Sequence, residues 1–133
     1  MFMGEFRHNI DAKGRLIIPS KLREQCGESV VITRGFDGCL ALYTQEGWND
    51  YYQKLQTLPK TKREARNFVR IITSRASECE FDKLGRVNIP NVLRIEGKLE
   101  KECIIVGVGD HVEIWNQNIW DDYYDANKDN FDE

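Results

Sequence analysis

One ten-residue phrase occurs twice in this chain. Residues 10–19 read IDAKGRLIIP, and residues 81–90 read FDKLGRVNIP. Each copy places Asp, then Gly three positions on, then Arg, then an apolar run closing on Ile-Pro. The match extends beyond the phrase. At an offset of 71, Asp11, Gly14, Arg15, Ile18, Pro19, Leu22 and Arg23 meet Asp82, Gly85, Arg86, Ile89, Pro90, Leu93 and Arg94. After a one-residue slip, Gly35, Leu42, Trp48, Asp50, Tyr51 and Tyr52 meet Gly107, Ile114, Trp120, Asp122, Tyr123 and Tyr124. A chance DxxGR pair does not carry a WxxYY ending in register with it, so the chain is an internal duplication. Copies of about fifty residues bury too little apolar surface to stand alone, so the halves are expected to pack about a pseudo-two-fold axis.

Each copy shows the same local pattern. Phe6, His8 and Ile10 alternate with polar residues, as in a half-buried strand. In DAKG, the Asp side chain can accept from amides ahead of it, and Gly supplies a positive φ. Leu16–Ile18 reads as a second strand ended by Pro19, and Ser20 as the cap of a short helix, KLREQC, that stops at Gly27. Val30–Thr33 and Leu40–Tyr43 read as strands around a turn at Gly35–Gly38. The GVGD of Gly107–Asp110 reads as the matching turn of the second copy. A helix with Trp48, Tyr51, Tyr52 and Leu55 on one side follows. Between the copies, Lys60–Ser74 is predicted helical, with Ala65, Phe68, Val69 and Ile72 on one face. The expected organisation is a first repeat over 1–53, a linking helix over 54–75, a second repeat over 76–125 and an acidic tail over 126–133, the repeats forming one compact unit.

Composition narrows the function class. With 41% apolar and 31% charged residues among 133, the chain is globular. No apolar run has the length of a membrane span, and the opening MFMGEFRHNI is too polar and short for a signal-peptide core. Cys26, Cys39, Cys79 and Cys103 form no CxxC pair, and His8 and His111 are the only histidines, so neither a metal site nor a disulfide framework is expected. No phosphate-binding glycine loop with its lysine, HExxH or GxSxG occurs, so no catalytic residue, cofactor or enzyme activity is expected. The net charge of −3 is unevenly spread: from Asp110 onward there are eight acidic residues and one lysine, leaving a basic body. The acidic end is either a solvated tail or an element that sets the surface polarity of an assembly.

The repeated turn admits two readings. Arg15 can pair with Asp11 simply to hold the hairpin. Alternatively, Arg15 and Arg86, beside Lys13 and Lys83, form related basic points at which arginine reads guanine and lysine neutralises phosphate. Gly14 and Gly85 would then allow close approach of the backbone to a partner, with Asp11 and Asp82 shaping the turns. The second tip carries Leu84 where the first carries Lys13 and is the less basic. Arg63, Arg66 and Arg70 form a stripe opposite the apolar face of the linking helix: a solvated face, a subunit contact or a phosphate contact. Trp48, Tyr51, Trp120 and Tyr123 suit packing better than base stacking.

The opening MFMGEFRHNIDAKGRLIIPSKLR and the second DKLGRVNIP resemble the MraZ family of the AbrB-like swapped-hairpin superfamily, over nearly the whole chain. The resemblance implies an α+β fold with a mainly β core, built from two pseudo-symmetric swapped-hairpin half-repeats with flanking helices. It further implies a cytoplasmic, nucleoid-associated DNA-binding transcription regulator, usually a repressor. Such a regulator acts on tandem G-rich repeats upstream of the bacterial division and cell-wall gene cluster. Its implied partners are double-stranded DNA and further copies of itself in a ring, an octamer or dodecamer. The family's DxxxR motifs fall on Asp11 with Arg15 and on Asp82 with Arg86. An antitoxin-type protein of the same superfamily, clasping a protein partner, is the alternative.

Overall fold

A computed structural model describes residues 1–131. The first half runs β1 (Phe2–Asn9), β2 (Arg15–Ile17), α1 (Ser20–Arg23), β3 (Ser29–Arg34), β4 (Leu40–Thr44) and α2 (Gln45–Gln56). After α3 (Arg63–Arg75), the second half repeats the order as β5 (Ser77–Glu80), β6 (Arg86–Asn88), α4 (Asn91–Glu96), β7 (Glu102–Gly109), β8 (Val112–Asn116) and α5 (Gln117–Asn127). Two antiparallel sheets result. One holds six strands in the order β1-β7-β8-β4-β3-β5, and the other is the two-stranded ribbon β2-β6.

That order reads the same from either edge once the halves are exchanged, so the pseudo-dyad passes between β8 and β4. The exchange is physical as well as formal. β1 pairs along its length with β7 of the other half, from Phe2 opposite Gly109 to Asn9 opposite Glu102. β5 crosses back to β3, and β2 pairs with β6, again across the halves. Each half donates its opening hairpin to the other, which is the swapped-hairpin architecture within one chain.

Strand alternation divides the core into two layers. Val30 and Ile32, Leu40 and Leu42, and Ile105 and Ile114 turn toward the ribbon, where they bury Leu16, Ile18, Val87, Ile89, Leu22 and Leu93. An isolated two-stranded ribbon is marginal in water. Burying these side chains contributes about 1.5–3 kcal/mol each, which holds the ribbon down. The opposite face of the sheet is covered by helices. Trp115, Ile104 and Val106 meet Ile119 and Trp120 of α5, while the Thr33 hydroxyl donates to the Ile72 carbonyl of α3 at 2.7 Å. The molecule is therefore ribbon, sheet and helices in three layers.

Several boundaries differ from the sequence reading. Ser20 does not cap α1; it is its first helical residue. The Pro19 carbonyl already accepts from Leu22 and Arg23, both at 2.9 Å, so the helix begins one position early. Pro90 does the same for Leu93 and Arg94. The side-chain caps lie elsewhere, at Thr44 for α2 and Asn116 for α5, accepting from Gly47 and Ile119 respectively. Gly107 is no turn residue but part of β7, opposite Gly4; the turn follows Gly109. Lys60–Lys62 are turn and bend, and the helix between the halves begins at Arg63. Of the expected acidic tail, 126 and 127 end α5, and Asp132 and Glu133 lie outside the described residues.

Candidate nucleic-acid interface

The two DxxGR turns lie side by side because β2 and β6 pair. Arg15 faces Asn88, Leu16 faces Val87, and Ile17 faces Arg86. Leu16 and Val87 are fully buried, so alternation turns Arg15, Ile17, Arg86 and Asn88 outward. Each turn is tied by its aspartate. Asp11 Oδ1 accepts from the backbone N–H of Lys13 and Arg15, at 3.0 and 2.9 Å, and Oδ2 accepts from Arg15 Nε at 2.6 Å. Asp82 repeats the set with Leu84, Arg86 and Arg86 Nε, the last at 2.7 Å. The Nε bond fixes the plane of each guanidinium and leaves its two terminal nitrogens for other partners. That is the pair of donors that grips the O6/N7 edge of guanine. The dyad brings the two sets together, with Arg86 Nη1 at 4.0 Å from Asp11 Oδ2.

The pairing with Asp11 that holds the turn also orients the Arg15 guanidinium. The aspartates are well suited to it. Backbone N–H donation from Arg15 holds Asp11 below the usual carboxylate range, with help from the Arg15 side chain and the Lys13 amide. Asp82 is lowered by the corresponding groups.

Gly14 and Gly85 have φ of 88° and 78°, in the left-handed region that favours glycine. The close approach they permit is filled from within the chain. A Cβ on Gly14 would lie 2.8 Å from Arg94 Cζ and 2.9 Å from the Ile89 carbonyl oxygen; one on Gly85 would lie 2.5 Å from Arg23 Cζ. Both glycines are buried, so neither offers open backbone to an outside partner. Arg23 belongs to the first half and covers the second turn, while Arg94 does the converse. Arg23 is anchored there through Nη1, which donates to the Ile18 carbonyl at 2.5 Å. The duplication matches Arg23 with Arg94, but the sequence alone assigns them no role. Their retention at identical offsets was the available signal, and a contact that crosses between halves is invisible along the chain.

The layers also separate charge. The exposed Lys13 and Lys83 flank the ribbon. The acidic α5 packs on the opposite face of the sheet, where Asp121 accepts from Arg7 Nη2 at 3.0 Å. A chain with a net charge of −3 thus keeps most of its C-terminal acid away from the ribbon.

A family model described as "MraZ protein, putative antitoxin-like" matches twice, over residues 1–71 and 72–133. The chain belongs to the MraZ family. A transcriptional regulator MraZ of Ligilactobacillus salivarius (strain UCC118) is 57% identical over 133 residues, spanning 100% of this chain and 93% of that protein. A transcriptional regulator MraZ of Limosilactobacillus reuteri (strain DSM 20016) is 54% identical, spanning 100% of this chain and 94% of that protein. As a member of the MraZ family the chain is a transcriptional regulator, not an enzyme. The doubled match coincides with the duplication in the sequence.

Other candidate residues of this MraZ chain fall away from the ribbon. Tyr43 stacks on Tyr51 and on His111, with ring centroids 5.1 and 5.0 Å apart, and Trp115 meets Trp120 and Tyr123. Trp48, Tyr51, Trp120 and Tyr123 thus pack helices onto the sheet, whereas Tyr52 and Tyr124 are exposed. All four cysteines are buried thiols. Burial pushes Cys26 and Cys103 up to about 11, which keeps them protonated and poor nucleophiles. Arg63, Arg66 and Arg70 lie on α3, in the helical layer. No helix among the described residues is long and apolar enough to cross a membrane.

Proposed function

We propose that the chain binds duplex DNA sequence-specifically through the outer face of the β2–β6 ribbon. Arg15 and Arg86 read base edges, Lys13 and Lys83 neutralise phosphates, and Asp11, Asp82, Gly14 and Gly85 shape and orient the turns. The observation that carries the reading is the pair of aspartate-tethered arginines on one exposed antiparallel ribbon, an element of the size the major groove admits. The family resemblance supplies the rest of the proposal: repression from tandem G-rich repeats upstream of the division and cell-wall genes, by a ring of copies in the cytoplasm at the nucleoid. In this reading the repeats 1–53 and 76–125, joined through 54–75, form the reading unit. A ring meets successive sites on one DNA face when they lie about one helical turn, roughly 10 base pairs, apart. Engagement of several weak readers at once raises affinity without new contacts.

A fluorescence-anisotropy titration tests this with the duplex upstream of the gene and a scrambled duplex, each at two salt concentrations. Arg15→Ala is expected to cost about 1–3 kcal/mol per contact and to narrow the gap between the duplexes. Lys13→Ala is expected to weaken both duplexes alike and flatten the salt dependence. Asp11→Asn removes the tether and is expected to lower discrimination while leaving the salt dependence nearly intact. Equal wild-type affinity for the two duplexes would leave the ribbon without a reading role.

A further inference from the structure

The tethered arginines are the same in both halves, but their neighbours are not. Arg15 sits directly across the ribbon from Asn88, and Arg86 sits across from Ile17. Positions 17 and 88 are equivalents in the duplication, so the dyad would place identical side chains there in a symmetric reader. Instead one is an amide and the other a branched hydrocarbon. Both are exposed on the face that carries the arginines. Ile17 is 39% exposed, an apolar side chain held outward on a ribbon whose inward positions are fully buried. Its neighbours Leu16 and Ile18 both point inward, so packing of the fold does not account for an isoleucine at this position.

Resting on the reading of the ribbon as a DNA-binding element, we propose that Asn88 and Ile17 are specificity-determining residues that make the two halves read different base pairs. Directly opposed residues of an antiparallel pair lie about 4.5–5.5 Å apart, close enough for both side chains to reach neighbouring base pairs of one groove. The Asn88 side-chain NH2 can donate to N7 of adenine while its Oδ1 accepts from the N6 amino group. Ile17 offers neither donor nor acceptor. It leaves the polar edges of guanine, cytosine and adenine unpaired and suits the C5-methyl of thymine. The half centred on Arg15 therefore selects guanine beside adenine, and the half centred on Arg86 selects guanine beside thymine.

The consequence concerns symmetry. A reader with identical halves favours a palindrome, because each half then finds its own site. Here a palindrome satisfies one half and mismatches the other. The preferred site of a subunit is directional despite the pseudo-dyad. Leu84 opposite Lys13 in the duplication accentuates the inequality at the turn tips.

The test is selection from a duplex library with a randomised core, by wild type, Ile17→Asn, Asn88→Ala and Arg15→Ala. Thermal melting confirms that each variant folds, which the outward position of these side chains favours. Wild type is expected to enrich a non-palindromic core. Ile17→Asn is expected to switch its preference at one position from thymine to adenine by roughly tenfold, and to raise the share of palindromic cores. Asn88→Ala is expected to lose the adenine preference at one other position. If both variants keep wild-type preferences everywhere while Arg15→Ala loses discrimination, the proposal fails and the ribbon reading stands. If Arg15→Ala also keeps wild-type preferences, the ribbon reading fails and takes the proposal with it.

Discussion

Placing Ala at Gly85 tests the packing of one half's arginine on the other half's turn. Two terms add. A side chain at the φ of 78° costs about 1–2 kcal/mol, because Cβ crowds the carbonyl in the left-handed region. The new methyl also lands on the Arg23 guanidinium, 2.5 Å from Cζ and 2.9 Å from Nε, so Arg23 must leave. Its departure breaks the Nη1 hydrogen bond to the Ile18 carbonyl, worth about 1–2 kcal/mol for a charged donor at a partly covered site. The total is about 2–4 kcal/mol. Gly27 supplies the control: its φ is 72°, but a Cβ there has nothing within 4 Å, so Gly27→Ala bears the backbone term alone. Thermal and urea melts at fixed protein concentration read the difference, at roughly 3–5 °C per kcal/mol for a chain of this size. In an Arg23→Ala background, Gly85→Ala is expected to cost no more than Gly27→Ala. The reasoning is refuted if Gly85→Ala and Gly27→Ala cost the same in the wild-type background. It is equally refuted if removing Arg23 leaves the cost of Gly85→Ala unchanged.

Gly107→Ala is expected to be among the most damaging glycine substitutions, above about 3 kcal/mol. Its Cβ would sit 2.6 Å from Met3 Cα and the Phe2 carbonyl carbon, backbone that can yield only by unpairing β1 from β7; loss of β1 amide protection in hydrogen exchange is the readout. Leu16→Ala, at a fully buried ribbon position, is expected to cost about 2–4 kcal/mol in urea melts, and to weaken binding to both duplexes by loosening the ribbon. His111 provides a pH test. Burial alone would lower its pKa, but Glu113 and Asp110 outweigh burial and hold it above 6.5. A raised folded pKa means the contribution is full below the ordinary value and fades as pH rises through the raised one. Stability should therefore fall as pH rises across that window, and His111→Gln should flatten the slope of melting temperature against pH.

Much of the fold was legible because the duplication reports it twice. The order of strands and helices in 1–53 reappears in 76–125, but β3 and β4 are buried on both faces, so no alternation in Val30–Thr33 or Leu40–Tyr43 tells which side meets the ribbon. Strand partners were not legible in the same way. Pairing β1 with β3 of its own half or with β7 of the other buries the same residues, so periodicity cannot choose between them; the family resemblance implied the exchange. Ser20 misled because its side chain suits a cap, whereas the Pro19 carbonyl starts the helix. Thr44 and Asn116 were overlooked as caps, although they occupy equivalent positions of the duplication. At the ribbon, the Asp and Gly of each turn were readable from residue chemistry. That Gly14 and Gly85 make room for Arg94 and Arg23 was not, since those contacts join residues far apart in the chain. The outward pairing of Arg15 with Asn88 and of Arg86 with Ile17 likewise requires the cross-half register.

The central claim, that DNA lies on the ribbon and not on the helical layer, is tested most directly by site-specific photo-crosslinking. A benzophenone side chain replaces Leu84, 67% exposed at a turn tip, or Tyr124, 53% exposed on α5. Each protein is irradiated with the duplex upstream of the gene. The account predicts a cross-link from position 84, lost when Arg15→Ala and Arg86→Ala are added, and none above background from position 124. A cross-link from position 124 with none from position 84 would contradict it.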